Sequence, residues 1–152
     1  MEIERSVVIA RPIQEVWDCI ADARNDPHWC EKVEEVHQEI GYGPGPDTRY
    51  RVIHRPVRLK KPKALAVTVE EYTPPSRLRL REEDDDGVFN VIYELEPAEE
   101  GTRLTQHDRI EWKIPRFQRP IARRMVTRDL ENQFAALKRR LEAEAGEVAR
   151  SR

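Results

Sequence analysis

The sequence has only two cysteines, Cys19 and Cys30, too few for a disulfide framework or a four-cysteine zinc site. No apolar run approaches the roughly 20 residues that span a bilayer; stretches such as Val7-Val8-Ile9-Ala10 reach a strand's length and stop. Met1 to Arg5 lack a basic segment leading into an apolar core, so no signal peptide is expected and the expected compartment is cytoplasmic. An excess of positive charge is missing too. Lys and Arg number 27 against 29 Asp and Glu, and the resulting net charge of −2 argues against a nucleic-acid binder. No Ser-His-Asp set can be assembled, and Gly-x-Ser-x-Gly is absent. Asp26, His28 and Cys30 stand two apart beside Trp29, yet the pair spacings of a zinc site are lacking, so neither a metal nor a cofactor is expected. At 152 residues the chain is expected to form one domain over 1–145, followed by a flexible tail at 146–152.

What is present is an apolar periodicity that changes type along the chain. Ile3, Val7 and Ile9 share one face of a strand over 3–10. Pro12 suits the first turn of a helix, and Ile13, Val16, Trp17 and Ile20 recur at helical spacing, predicting an amphipathic helix over 12–22. Asn25-Asp26-Pro27 breaks it, and a short second helix or turn carries Trp29. From residue 32 onward the period is two, and six further strands follow, one of them entered through a hairpin turn at Asp86-Gly87. Phe117, Ile121, Met125, Leu130, Phe134, Leu137 and Leu141 then recur by three to five, predicting a helix over about 118–144. Strands in hairpin succession pair antiparallel, and one long helix must cover their apolar face. The expected fold class is α+β: a seven-stranded curved antiparallel sheet wrapped around a long C-terminal helix, with two short helices between strands 1 and 2.

A curved sheet meets a straight helix along a line, which leaves room for a cavity. Its expected place is beside the first half of the long helix, near Phe117, Ile121 and Met125, while 130–141 closes the core. Strand parity turns Tyr50, Val52, His54, Val67, Phe89, Val91 and Tyr93 toward it. On the last strand Leu104, Ile110 and Trp112 carry Gln106 and Asp108 inward with them. A buried carboxylate needs a partner or takes a raised pKa, which makes Asp108 the most informative residue of the chain. Seven basic residues (Arg49, Arg51, Arg55, Arg58, Lys60, Lys61 and Lys63) and five arginines over 116–128 stand without an intervening acid. Glu82 to Asp86 and Glu94 to Glu100 supply counter-charges, so a solvated surface laced with ion pairs is expected there.

Ile9-Ala10-Arg11-Pro12-Ile13-Gln14-Glu15-Val16-Trp17, followed by Asp22 and Trp29, resembles the opening of the START-like (SRPBCC) superfamily, in its polyketide cyclase/dehydrase and lipid-transport group. Gly101-Thr102-Arg103-Leu104-Thr105 resembles the start of that family's last strand, and Tyr72 to Arg77, with its paired prolines, the turn before strand five. The resemblance spans about 1–144 and implies the helix-grip fold, in which the first and last strands are neighbours. Arg5 then stands on the inward parity beside Asp108. That ion pair is the expected structural role of Asp108, with a lowered pKa and a destabilised Asp108→Asn variant as its consequences. The function the resemblance implies first is binding of a small apolar ligand, a lipid, polyketide or aromatic metabolite, oriented by Gln106, Asp108, Tyr93 and Tyr50. An aromatase/cyclase or dehydratase, with Asp108 and Tyr93 moving protons, is the alternative, and a protein-interaction or stress-related module is a third. The expected partner is a small apolar molecule, with no integral membrane association, in a monomer or homodimer.

Overall fold

The first strand does not pair with the second; it lies beside the last. A computed structural model describes residues 1–150, with side chains through Gly146. Strands β1 (Glu2–Ile9), β2 (Val33–Ile40), β3 (Arg49–His54), β4 (Lys63–Thr73), β5 (Arg77–Glu83), β6 (Gly87–Ala98) and β7 (Gly101–Trp112) form one antiparallel sheet in the order β1-β7-β6-β5-β4-β3-β2. Helix α1 (Ile13–Ile20) and a 3-10 helix (Ala23–His28) connect β1 to β2, and α2 (Arg119–Arg150) follows the sheet. This is the expected helix-grip architecture. No helix among the described residues is long and apolar enough to cross a membrane.

Local chemistry accounts for the joints. The Asp84 carboxylate accepts from the N–H groups of Asp86 and Gly87 at 2.8 and 3.2 Å, tying the β5–β6 hairpin at the Asp-Gly turn. Gly101 has φ 148° and sits so close to β1 that a Cβ would collide with the Ile9 carbonyl oxygen. The hydroxyl of the buried Thr102 donates to the Arg11 carbonyl at 2.8 Å, fixing the same crossing. Helix α1 buries Val16, Trp17 and Ile20, and the Trp17 ring meets Tyr72 edge-on at 5.3 Å.

The second half of α2 is fastened to the sheet. Leu130, Phe134, Leu137 and Leu141 are buried. Lys138 Nζ donates to the Val8 carbonyl at 2.6 Å, and Glu142 accepts from the Ala10 N–H at 3.0 Å. The first half departs from expectation. Phe117, just before α2, and Ile121 are 79% and 67% exposed and do not face the sheet as the stripe predicted, while Met125, 40% exposed, only borders the space beneath the helix. The reason lies in the step from Met125 to Leu130. Five residues at about 100° each rotate the face by about 140°, so the two halves of that stripe look in different directions. The face that continues Leu130 toward the N-terminus carries Val126 and Ala122 instead. The helix also runs past 144 to Arg150, over most of the stretch expected as a flexible tail at 146–152, and 151–152 lie outside the described residues.

Candidate functional site

Between the concave face of the sheet and the first half of α2 lies a cavity of about 280 Å³. Its sheet wall is built by parity: Val52 and His54 from β3, Leu65 and Val67 from β4, Leu80 and Glu82 from β5, Phe89, Val91 and Tyr93 from β6, and Gln106, Asp108 and Trp112 from β7. Ala122, Met125, Val126 and Leu130 of α2 roof it, and Asp26, Trp29 and Cys30 close one end. The walls are therefore mostly aliphatic and aromatic, with polar groups converging from several elements.

Gln106 and Asp108 are both buried, and the Gln106 amide Nε2 donates to both carboxylate oxygens at 2.9 and 3.2 Å. The expected partner, Arg5, is elsewhere. The register sets Ile3 opposite Asp108 and Arg5 opposite Gln106, and β1 is an edge strand. From that edge the Arg5 side chain reaches out to Glu131 on α2 at 3.3 Å. The structural ion pair is thus overturned, and with it the lowered pKa: burial pushes the Asp108 carboxyl up to about 6, against a smaller lowering by Gln106 and His107.

The neighbouring acids behave alike. Burial first, then the charges of Asp108 and Asp84, push Glu82 up to about 8. Burial and the nearby Glu82 and Asp22 raise Asp26 well above the ordinary carboxylate value. Burial likewise raises the Tyr93 hydroxyl well above its usual value, helped by Glu82 and Asp108. Asp84 is the exception. Burial raises it, but the His54 ring, 3.6 Å away, and the backbone N–H groups of Asp86 and Gly87 outweigh that and leave it lowered. The indole N–H groups of Trp29 and Trp112 and the His54 Nε2 are buried without a hydrogen-bond partner among the described residues.

Of the residues expected at the cavity, Val52, His54, Val67, Phe89, Val91, Tyr93, Gln106, Asp108 and Met125 line it. Tyr50 does not: it is 2% exposed and belongs to the core cluster beyond the wall. Phe117 and Ile121 stand outside, in solvent, for the helical reason given above. Sequence reasoning passed over Glu82 and Asp84 by ending the fifth strand at Arg81. The alternation Leu78, Leu80 runs straight on to Glu82 and Asp84, and following it two steps further finds both. Asp26 and Cys30, weighed only as metal ligands, face the cavity, whereas His28 is exposed.

The outer face carries the expected ion-pair lacing. Arg55 meets Glu34 at 2.7 Å and Arg51 stands 3.7 Å from Glu39, while Lys63 meets Asp86 at 3.0 Å at the rim of the cavity. Two of those three acids come from β2 rather than from the acidic turns. Exposed pairs of this kind contribute about 0–1 kcal/mol each.

A sheet gripping a helix over a ligand-sized cavity defines the class of the protein. The particular family follows from the sequence: residues 1–142 match the family described as polyketide cyclase / dehydrase and lipid transport, and the chain belongs to it. No curated protein matches the chain. Among solved structures, TTHA0849 from Thermus thermophilus superposes with a TM-score of 0.78 at 21% identity, over 95% of this chain and 99% of that one. A START superfamily protein from Mycobacterium smegmatis gives 0.77 at 17% identity, over 93% and 97%. The di-domain ARO/CYC BexL from the BE-7585A biosynthetic pathway gives 0.73 at 13% identity, over 91% of this chain and 48% of that one. At these identities the likenesses establish the fold.

Proposed function

We propose that the protein binds a small, largely apolar molecule in the cavity between the sheet and α2. The observation that carries this reading is the cavity itself: about 280 Å³ walled by Val52, Leu65, Val67, Leu80, Phe89 and Val91, beside a packed apolar core. Burying ligand surface there supplies the driving force, on the order of 5 kcal/mol for about 200 Å² of apolar area. Gln106, Asp108, Tyr93 and the unpartnered indole N–H groups orient the ligand through its few polar atoms. Native mass spectrometry of the purified protein, together with titration of an environment-sensitive apolar dye, tests the reading. Met125→Trp, which fills the space from α2, should abolish dye binding; a dye that never binds, or binds the variant as well as the parent, refutes it.

A second reading, a proton-moving cyclase or dehydratase, is favoured by one observation. The Asp108 carboxyl, held up to about 6, lies on the strand next to Tyr93, and Glu82, held up to about 8, faces the same space. Groups that exchange protons near neutrality suit general acid–base work on a carbonyl-bearing substrate. Turnover of a poly-β-keto thioester that disappears in Asp108→Asn, with dye binding intact, would promote this reading over the first.

A further inference from the structure

The cavity wall carries more acid than an apolar ligand uses. Some of its carboxylates are committed: Asp129 to Lys32 at 2.5 Å, Asp86 to Lys63 at 3.0 Å, and Asp84 to the backbone of its own hairpin and the His54 ring. Asp26, Glu82 and Asp108 remain, and no cationic side chain pairs with any of them among the described residues. They come from the 3-10 helix, β5 and β7, so they converge on one space from separate elements. Among the described residues Asp108 receives only the neutral Gln106 amide, and neither Asp26 nor Glu82 receives a side-chain hydrogen bond. Aromatic rings of Trp29, Phe89 and Trp112 line the same cavity.

We propose that this cavity selects a cationic amphiphile, a compact apolar body bearing an amine or quaternary ammonium group that stands among Asp26, Glu82 and Asp108. The proposal rests on the ligand-binding reading above and names the class of ligand. In a poorly hydrated space, three carboxyls without a counter-charge repel an anionic head such as a fatty carboxylate once they ionise, and a neutral head leaves that charge unbalanced. An ammonium balances it, and the ring faces attract the same cation. The groups facing Glu82 are Asp26, Asp84, Asp108 and the neutral Tyr93 hydroxyl, with His54 beyond Asp84 and the Lys32–Asp129 pair on the helix side, and the charges of Asp108 and Asp84 make the field at Glu82 negative. Burial keeps Glu82 protonated up to about pH 8 in the empty cavity, and an arriving ammonium displaces that proton.

The test compares octyltrimethylammonium, octanol and octanoate, which share a chain and differ in head charge. Each is titrated against a neutral naphthylamine dye bound to the intact protein at about pH 9, where Glu82 is ionised. The ammonium is expected to displace the dye at a concentration about tenfold below that of octanol, with octanoate the weakest. Glu82→Gln and, separately, Asp26→Asn should shrink the ammonium's advantage by about tenfold and leave octanol within about twofold; circular dichroism selects whichever variant folds. Octanol or octanoate displacing the dye as well as the ammonium does, or an advantage that survives both substitutions, overturns the cation selectivity and leaves apolar-ligand binding standing. A protein that binds neither the dye nor any of the three ligands by calorimetry overturns both.

Discussion

Replacing Asp108 by Asn removes a charge from inside the sheet and leaves the volume almost unchanged. In the folded chain this carboxyl is held at about 6, against an ordinary value of 3.8, a difference of about 2 units. At about 1.4 kcal/mol per unit, the ionised form costs the fold on the order of 3 kcal/mol. The sign follows from proton binding. The folded state holds the proton more tightly than the unfolded one, so the cost is absent below about pH 4, grows as the pH climbs, and is complete above about pH 6. Asn retains an oxygen for the Gln106 amide, which now donates to the carboxylate at 2.9 Å, so that hydrogen bond survives the change. Asp108→Asn is therefore expected to be more stable than the parent by about 1–3 kcal/mol at about pH 8 and equal to it at about pH 4. Urea melts at the two pH values measure the difference. A variant less stable than the parent at the higher pH would refute the reasoning, because it would mean that the charge is compensated in the fold.

Two further outcomes test the frame around the cavity. Phe134→Ala, at a buried position on α2, should lose about 3–5 kcal/mol, whereas Phe117→Ala, at an exposed one, should lose less than about 0.5; denaturant melts that rank them the other way would mean the helix is turned. Gly101→Ala places a Cβ against the Ile9 carbonyl at φ 148° and should cost at least about 2 kcal/mol in the same assay, with a loss below about 0.5 refuting the close crossing of β1 and β7.

The fold was legible because its signals are local and agree with one another. Alternation in Phe89, Val91, Tyr93 and Leu95, the Asp-Gly hairpin and the Pro12 helix start each specify one element, and only one arrangement buries all the resulting faces. The face of α2 was harder to read. Both Met125 and Val126 are apolar, and periodicity alone does not say which of two adjacent stripes meets the sheet; the packing of Leu130 and Phe134 decides it. Parity found Gln106 and Asp108, since an inward strand position is a backbone property. It left open what Asp108 meets, because that depends on where the Arg5 side chain goes from an edge strand, and a solvated route to Glu131 was available.

Strand β5 carries the argument from fold to function. Its outer face is charged in the ordinary way: Arg77 meets Glu71 and Glu94, Arg79 meets Glu70 at 3.1 Å, and Arg81 meets Glu83 at 2.7 Å, all in contact with water. Its inner face passes from Leu78, 1% exposed in the core, through Leu80 to Glu82 on the cavity wall. Nothing about folding asks for a carboxylic acid at that last position. Desolvation makes its charged form unfavourable, and a leucine or glutamine of similar size would avoid the penalty. The same holds for Asp26 and Asp108, which the chain brings to the same space from two other elements. Three buried carboxyls that stability does not favour are thus gathered at one cavity, and it begins where β5 leaves the packed core. An occupant that compensates those carboxyls turns three separate costs into one recognition surface, which a purely apolar occupant does not.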